Sequence, residues 1–159
     1  MSKLIIIVLL FSITLLSTPS FSLELKVEVQ KIKVLEKKIM MELFLLTGKE
    51  SQNWQELLLI EKREFELDPE QQNVNPHVVF SQLKAGHYAL RVFQDLNNNN
   101  LLDKSSNNIP LEPIGFSSNP SLFSGEPSPE DSVIALFDNK TILVNLKHRR
   151  SKKKHKKRH

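Results

Sequence analysis

The chain of 159 residues contains no cysteine and only four glycines. Without cysteine it has no disulfide, no thiol nucleophile and no lipid-modified export signal. So few glycines leave no glycine-rich loop to cradle a phosphate, and no Gly-x-Ser-x-Gly elbow occurs. The acidic pairs Glu64/Glu66 and Glu130/Asp131 have the spacing of solvated side chains rather than of an acid/base pair. We therefore expect a protein that is not an enzyme, with no catalytic or cofactor-binding residues.

Long apolar runs are also scarce, and the longest lies at the N terminus. Lys3 precedes an apolar stretch over residues 4–16, and small residues including Ser20 and Ser22 follow it. This layout predicts a secretory signal peptide over residues 1–22. The stretch is shorter than the roughly 20 apolar residues that a membrane span needs. The alternative is an uncleaved N-terminal anchor. We expect an exported protein, periplasmic or extracellular, with no transmembrane span in the mature chain.

Positive charge is concentrated in a C-terminal tail over residues 147–159. The tail has nine Lys or Arg and no acid, whereas residues 23–146 hold 12 cations against 18 acids, a net charge of −6. A disordered basic tail of this kind favours an anionic envelope surface or another polyanion as partner. The alternative is a solvated extension that limits aggregation. The tail lacks aromatic residues that stack on bases, which argues against specific nucleic-acid binding.

The region between these termini has the pattern of a β protein. Residues 23–30 alternate between apolar and polar, as a strand with one buried face does. Residues 38–46 are apolar on both faces, which favours a central strand, and residues 53–67 combine a helical turn with a strand pattern. Four further strand patterns follow at 77–83, 87–93, 133–137 and 141–147. The pattern predicts an all-β domain over residues 23–146, an antiparallel immunoglobulin-like β-sandwich of about seven strands.

Two short links and a long proline-rich segment connect the later strands. Residues 84–86 predict a hairpin turn with positive φ at Gly86, and residues 138–140 predict a second tight turn. Residues 104–130 contain five of the eight prolines, which disfavours regular strand pairing. We expect an ordered loop held to the sandwich by apolar side chains. These are Ile109, Leu111, Ile114, Phe116, Leu122 and Phe123.

The motif most suggestive of chemistry is FQDLNNNNLLD at residues 93–103. Oxygen-bearing groups occur there at relative positions 1, 3, 5, 7 and 9. They are the side chains of Asp95, Asn97, Asn99 and Asp103 and the main-chain carbonyl of Leu101. Ca²⁺ binds six to eight oxygens, and alternate side chains of a tightly curved loop converge on one point. The spacing predicts a metal site.

Other features of this Asp/Asn loop bear on that hypothesis. Asn100 stands where the chain must turn sharply, and asparagine tolerates positive φ; Leu102 is expected to face the core. The glutamate that closes an EF-hand loop is absent, so Glu112 or Asp131 would have to complete the shell. The alternative is an ion-free loop in which Asn and Asp side chains accept hydrogen bonds from nearby amides.

Four other residues have predicted roles outside that loop. Tyr88 is expected to form a tyrosine corner, in which its hydroxyl binds a nearby backbone group. The single tryptophan, Trp54, is expected to fill part of the core or an edge. His77 and His87 lack metal-ligand spacing and are expected to be surface residues.

Three stretches resemble one known family: GHYALRVFQDLNNNNLLD, IPLEPIGFSSN and GEPSPED. They are similar to the motifs of an uncharacterised family of exported bacterial proteins, domain-of-unknown-function family 2141. The resemblance is strong over residues 80–146 and covers residues 23–80 in strand order only. The matching positions are Leu83, Gly86, Tyr88, Phe93, Asp95, Asn97, Asn99, Leu102, Asp103, Ile109, Pro110, Glu112, Pro113, Gly115, Phe116, Ser117, Gly125, Pro127, Glu130 and Asp131.

The sequence departs from that family's pattern at three positions. Asn100 replaces the usual glycine, Gln94 a frequent histidine and Pro129 a frequent aromatic residue. The resemblance implies an exported sandwich, immunoglobulin-like or transthyretin-like, with no established activity. Taken with the other features, we expect an exported, non-enzymatic binding or structural module, with Ca²⁺ at the Asp/Asn loop as a hypothesis. The alternative is an envelope- or polyanion-binding protein that acts through its basic tail.

Overall fold

The computed structural model describes residues 22–34, 36–48, 53–67 and 76–148. The predicted signal peptide, apart from Ser22, and the tail after His148 lie outside the described residues. Eight strands and two 3-10 helices, Trp54–Glu56 and Pro129–Ser132, are present. The strands are β1 (Leu23–Gln30), β2 (Ile39–Leu46), β3 (Leu58–Phe65), β4 (His77–Leu83), β5 (Gly86–Gln94), β6 (Ile114–Phe116), β7 (Val133–Leu136) and β8 (Lys140–Asn145). In the described ranges, no helix is long and apolar enough to span a membrane.

The strands form two sheets, which confirms the predicted all-β sandwich. The first sheet has the order β4-β1-β8, and the second has the order β3-β2-β5-β6, with β7 also paired to β5. All pairs are antiparallel except β1 with β8, which run parallel with Leu25 opposite Lys140. Residues 53–67, for which the sequence indicated both a helical turn and a strand, form the first 3-10 helix followed by β3.

Alternation along the strands divides the buried residues into two clusters. Leu25, Val27 and Val29 of β1 pack with Met41 and Leu43 of β2 in the larger cluster between the sheets. The opposite face of the second sheet carries a smaller cluster of Met40, Phe44, Trp54, Ala89, Phe93, Ile114 and Phe116. Because both faces of β2 are covered, residues 39–44 are all buried, as expected for a central strand.

The predicted hairpin between β4 and β5 is wrong. β4 pairs with β1 in the first sheet, whereas β5 pairs with β2, β6 and β7 in the second, so residues 84–85 cross between the sheets. Positive φ occurs at Gln82 (59°) and not at Gly86. The hydroxyl of Tyr88 donates to the Lys84 carbonyl at 2.8 Å, which confirms the tyrosine corner. The turn at residues 138–140 likewise passes from β7 in the second sheet to β8 in the first.

The proline-rich segment is only partly the loop that the sequence predicts. It contains strand β6, which pairs with β5, and it leads into the second 3-10 helix. Ile114 and Phe116 are buried, as expected of anchors. Leu122 is partly buried and packs against the smaller cluster. The remaining three predicted anchors are exposed: Ile109 is 45% exposed, Leu111 is 41% exposed and Phe123 is 97% exposed. Pairing with β5 is limited to three residues, because Pro113 precedes β6 and the chain turns at Ser118 (φ 63°) and Asn119 (φ 51°) after it. Much of the segment therefore lies outside the core.

Candidate functional site

The Asp/Asn loop begins at Asp95, directly after β5, and the side chain of Asp95 is fully buried. Its Oδ1 accepts a hydrogen bond from the Asn99 amide at 3.2 Å, and its Oδ2 accepts one from the Asn100 amide at 2.7 Å. A buried carboxylate requires such partners, because an unpaired charge away from water is strongly unfavourable. The backbone therefore curls around Asp95, with positive φ at Asn98 (61°) and, as predicted, at Asn100 (60°).

The asparagine side chains connect the start of the loop to its end at Asp103. Nδ2 of Asn97 donates to Oδ2 of Asp103 at 2.7 Å, and Nδ2 of Asn99 donates to Oδ1 of Asp103 at 3.2 Å. Their Oδ1 atoms accept from backbone amides, Asn97 from Asn99 at 3.2 Å and Asn99 from Leu101 at 2.8 Å. The four predicted side chains are thus brought together, in the hydrogen-bonded form of the loop.

The two leucines of the loop differ in position. Leu101, whose carbonyl is the predicted fifth oxygen, has an exposed side chain, and its amide donates to Asn99. Leu102 is partly buried and packs against the smaller cluster, which confirms the prediction that it faces the core. The packing of Leu102 fixes the end of the loop against the second sheet.

Glu112 of the proline-rich segment is part of the same site. It is 4% exposed, and its two carboxylate oxygens accept from the amides of Leu96 at 2.7 Å and Asp103 at 3.2 Å. Backbone bonds from Gln94 to Pro113 and from Leu111 to Asp103, both 2.9 Å, hold the two segments together. Asp131, the other residue considered, is elsewhere: it forms a capping box with Ser128 at the second 3-10 helix.

The site carries negative charge that no described cation neutralises. Burial raises the pKa of Glu112, and the negative charges of Asp103 and Asp95 raise it further, against the lowering effect of its two backbone hydrogen bonds. In the described part of the chain, no Lys or Arg forms an ion pair with Asp95, Asp103 or Glu112. Lys62 reaches the loop at the carbonyl of Asn100, with a distance of 2.8 Å.

The described residues include no metal site made only of acidic, histidine or cysteine side chains. Among residues 22–34, 36–48, 53–67 and 76–148, no group of three or more such side chains could hold a metal ion. An ion at this loop would therefore depend on asparagine and backbone oxygens in addition to the carboxylates. The two histidines outside the basic end of the chain, His77 and His87, are exposed, as predicted.

A charged cluster on the outer face of the second sheet was not predicted by any sequence pattern. Arg91 donates to Glu42 from Nε at 3.0 Å and from Nη2 at 2.6 Å, and to Glu126 from Nη1 at 3.0 Å. Its guanidinium lies 5.5 Å from the ring centres of both Phe44 and Trp54. Because Glu126 belongs to the proline-rich segment, the cluster attaches that segment to β5 and has a structural role.

Comparison with known proteins assigns a family. Residues 27–144 match the family described as "Uncharacterized protein conserved in bacteria (DUF2141)". The chain belongs to this family. The match begins within β1 and ends within β8, so it covers both sheets, the Asp/Asn loop and the proline-rich segment of this DUF2141 protein. It confirms the resemblance found in the sequence motifs. No curated protein and no solved structure matches the chain.

Proposed function

We propose that this DUF2141 protein is an exported, non-enzymatic binding or structural module whose Asp/Asn loop is stabilised by Ca²⁺. One observation carries the ion hypothesis: Asp95, Asp103 and Glu112 meet at one loop without an ion pair from any described cation. Each carboxylate oxygen has a second lone pair beyond the one that accepts its amide hydrogen bond. A hard divalent cation bound by Asp95 and Asp103, with asparagine and backbone oxygens in the rest of its shell, would reduce this negative charge.

Binding of the ion would require a local rearrangement of two side-chain amides. The Nδ2 atoms of Asn97 and Asn99 face Asp103, whereas a cation is bound by oxygen atoms. Breaking these two hydrogen bonds frees both carboxylate oxygens of Asp103. With so few carboxylates the affinity should be weak, on the order of 0.1–1 mM.

Thermal unfolding with and without Ca²⁺ tests this proposal. At about 10 mM CaCl₂ the Tm should rise by roughly 5 °C relative to EDTA, because an ion that binds only the folded state stabilises it by mass action. Asp103→Asn should abolish the rise, since it removes the charge at the end of the loop while keeping a side chain of the same shape. Asp138→Asn is the matched control, because Asp138 is exposed in the turn between β7 and β8.

The ion-free alternative makes the opposite prediction. If the hydrogen bonds of Asp95 and Asp103 are the final state of the loop, the wild-type Tm will be the same in CaCl₂ and EDTA. A rise that persists in Asp103→Asn would also contradict the proposal, because it would place the ion elsewhere.

Export is proposed from the N-terminal sequence, which lies outside the described residues. Lys3, the apolar stretch over residues 4–16 and the small residues before Leu23 support a cleaved signal. N-terminal sequencing of the exported chain should begin at Leu23. A chain that keeps its first residues and remains in the membrane fraction would support the uncleaved anchor instead.

A second candidate function is binding of an anionic envelope surface or polyanion through the basic tail. The observation that favours it is the segregation of charge, with nine cations in residues 147–159 and a net charge of −6 in residues 23–146. Deletion of residues 149–159 keeps Lys147, whose backbone pairs with Ile114. This candidate predicts that the deletion removes salt-sensitive retention on heparin and on anionic vesicles. Unchanged retention would leave the tail without this role.

A further inference from the structure

A concave groove of about 1050 Å³ lies beside the proline-rich segment. Its walls come from the segment after β1, from the proline-rich segment and from the end of β8 with the residues that follow it. We call it the basic-rimmed groove. It is lined by Lys31, Ile32, Lys33, Ile109, Pro110, Glu112, Ile114, Ser121, Leu122, Phe123, Gly125, Leu146, Lys147 and His148.

The groove exposes apolar side chains that the sequence pattern would place in the core. Phe123 is 97% exposed at its edge, and Ile109 is 45% exposed. Phe123 lies in an ordered turn. Its amide donates to Ser121 Oγ at 3.3 Å, and the Gly125 amide donates to the Leu122 carbonyl at 3.3 Å. Contiguous exposed apolar surface of this kind, rimmed by polar residues, marks binding sites in soluble proteins.

The rim of the groove is basic, although the domain as a whole is acidic. Lys31, Lys33, Lys147 and His148 line it, and no described acid forms an ion pair with any of them. The lining residues include one acid, Glu112, whose oxygens accept from the amides of Leu96 and Asp103 on the Asp/Asn loop. Lys147 donates from Nζ to the Pro120 carbonyl, and Nε2 of His148 lies 2.8 Å from the Lys31 carbonyl. Among the lining residues, Lys31 and Lys33 are therefore the cations available to an anionic group.

Exposed apolar side chains beside a basic rim are suited to a ligand that has an alkyl chain and an anionic group. We propose that the basic-rimmed groove binds a single anionic amphiphile, with its alkyl chain against Ile109 and Phe123 and its carboxylate toward Lys31 and Lys33. A concave surface favours a single molecule, because a flat bilayer cannot fill it. The inference rests on the proposed binding role, for which it names a ligand class, and it is independent of the Ca²⁺ hypothesis.

Calorimetric titration with dodecanoate, below its critical micelle concentration and in EDTA, tests the inference. The wild-type protein should bind dodecanoate. Phe123→Ser should weaken the Kd about tenfold or more, because the alkyl chain loses its largest apolar contact. Lys33→Glu should weaken it about fivefold or more, because a cation near the carboxylate becomes an anion. Circular dichroism should show that both variants keep the fold, since both side chains are exposed.

Matched variants separate this groove from other apolar or basic surface. Phe137→Ser removes another exposed phenylalanine, which contacts His87 at a ring-centre distance of 5.5 Å, and Lys84→Glu makes the same charge change at an exposed site. Both should bind dodecanoate as the wild type does. Because the titration is run in EDTA, failure of the Ca²⁺ proposal leaves this result unaffected.

Three results would overturn the inference. The first is absence of dodecanoate binding by the wild type, including the case in which the protein still sediments with anionic vesicles. The second is equal weakening by Phe123→Ser and Phe137→Ser, which would place the ligand elsewhere. The third is equal affinity for dodecyltrimethylammonium, which has the same alkyl chain and the opposite charge.

Discussion

Oε2 of Glu112 accepts a hydrogen bond from the amide of Asp103 at 3.2 Å. Its other oxygen accepts from the amide of Leu96 at 2.7 Å, so one buried carboxylate joins both ends of the Asp/Asn loop to the proline-rich segment. A side chain that satisfies two backbone donors in this way fixes the loop geometry more firmly than the solvent-exposed asparagines can. The stability of the candidate site therefore depends on a residue outside the loop itself.

Replacement of Glu112 tests this dependence. Glu112→Gln keeps one carbonyl oxygen but directs an NH₂ group at one of the two backbone donors. The variant should lose about 1–3 kcal/mol of unfolding free energy, the usual effect of an unsatisfied buried donor. Urea denaturation measures the loss. Glu130→Gln, at an exposed position of the second 3-10 helix, should change the unfolding free energy by less than about 0.5 kcal/mol. Equal stability of the two variants would contradict the role of Glu112.

The pH dependence of stability follows from the raised pKa of Glu112. The ordinary value is 4.5, and burial raises the pKa in the folded state. Between the two values the folded state binds more protons than the unfolded chain, so the contribution of Glu112 to stability decreases as the pH rises through this window. The difference in unfolding free energy between wild type and Glu112→Gln should therefore grow as the pH falls toward 4.5. A difference that stays constant or shrinks would contradict the assignment.

Gly115 of β6 is expected to be intolerant of any side chain. A Cβ atom there would lie 2.7 Å from Cγ1 of Val144 and 2.8 Å from the carbonyl oxygen of Asn145. The Asn145 oxygen belongs to the backbone of β8 and cannot move as a side chain does. Gly115→Ala should therefore lose about 1–3 kcal/mol or more of unfolding free energy. Gly86→Ala is the control, since its Cβ would meet its nearest neighbour at an ordinary 3.7 Å. A similar melting temperature for the two variants would contradict this prediction, because it would show that β6 and β8 can move apart without loss of stability.

Trp54 connects the smaller cluster to the proline-rich segment. Its Nε1 donates to the Pro127 carbonyl at 2.7 Å, and its ring packs on those of Phe44 and Phe116 at centre distances of 5.4 and 5.1 Å. Trp54→Phe keeps an aromatic ring and removes the donor, so it should lose about 0.5–1.5 kcal/mol, measured by circular dichroism melts. Full retention of stability would mean that the hydrogen bond contributes nothing to folding.

The strands were predictable from the sequence because each is specified by local alternation or by a continuous apolar run. The alternation of β1 and the apolar run of β2 state which faces are buried. These patterns do not predict which strands pair, because paired strands are distant in sequence. The hairpin predicted at residues 84–86 was wrong for this reason: the short link connects two sheets and not two neighbouring strands.

The candidate site divides in the same way into local and distant parts. Asp95, Asn97, Asn99 and Asp103 come together because they lie within one short loop, and their spacing predicts it. Glu112 was only one of two candidates, since nothing local brings it to Leu96. The contact of Arg91 with Glu42, 49 residues away, had no local signal at all. Residue spacing therefore predicts the loop, whereas its surroundings depend on strand pairing.

The most direct test of the proposed ion site is a crystal structure of the processed chain grown in millimolar CaCl₂. We expect one ion, with oxygens of Asp95, Asn97, Asn99 and Asp103 at about 2.3–2.6 Å and with both asparagine amides turned so that their oxygens face it. Continued donation from Nδ2 of Asn97 and Asn99 to Asp103, with no ion among these side chains, would contradict it.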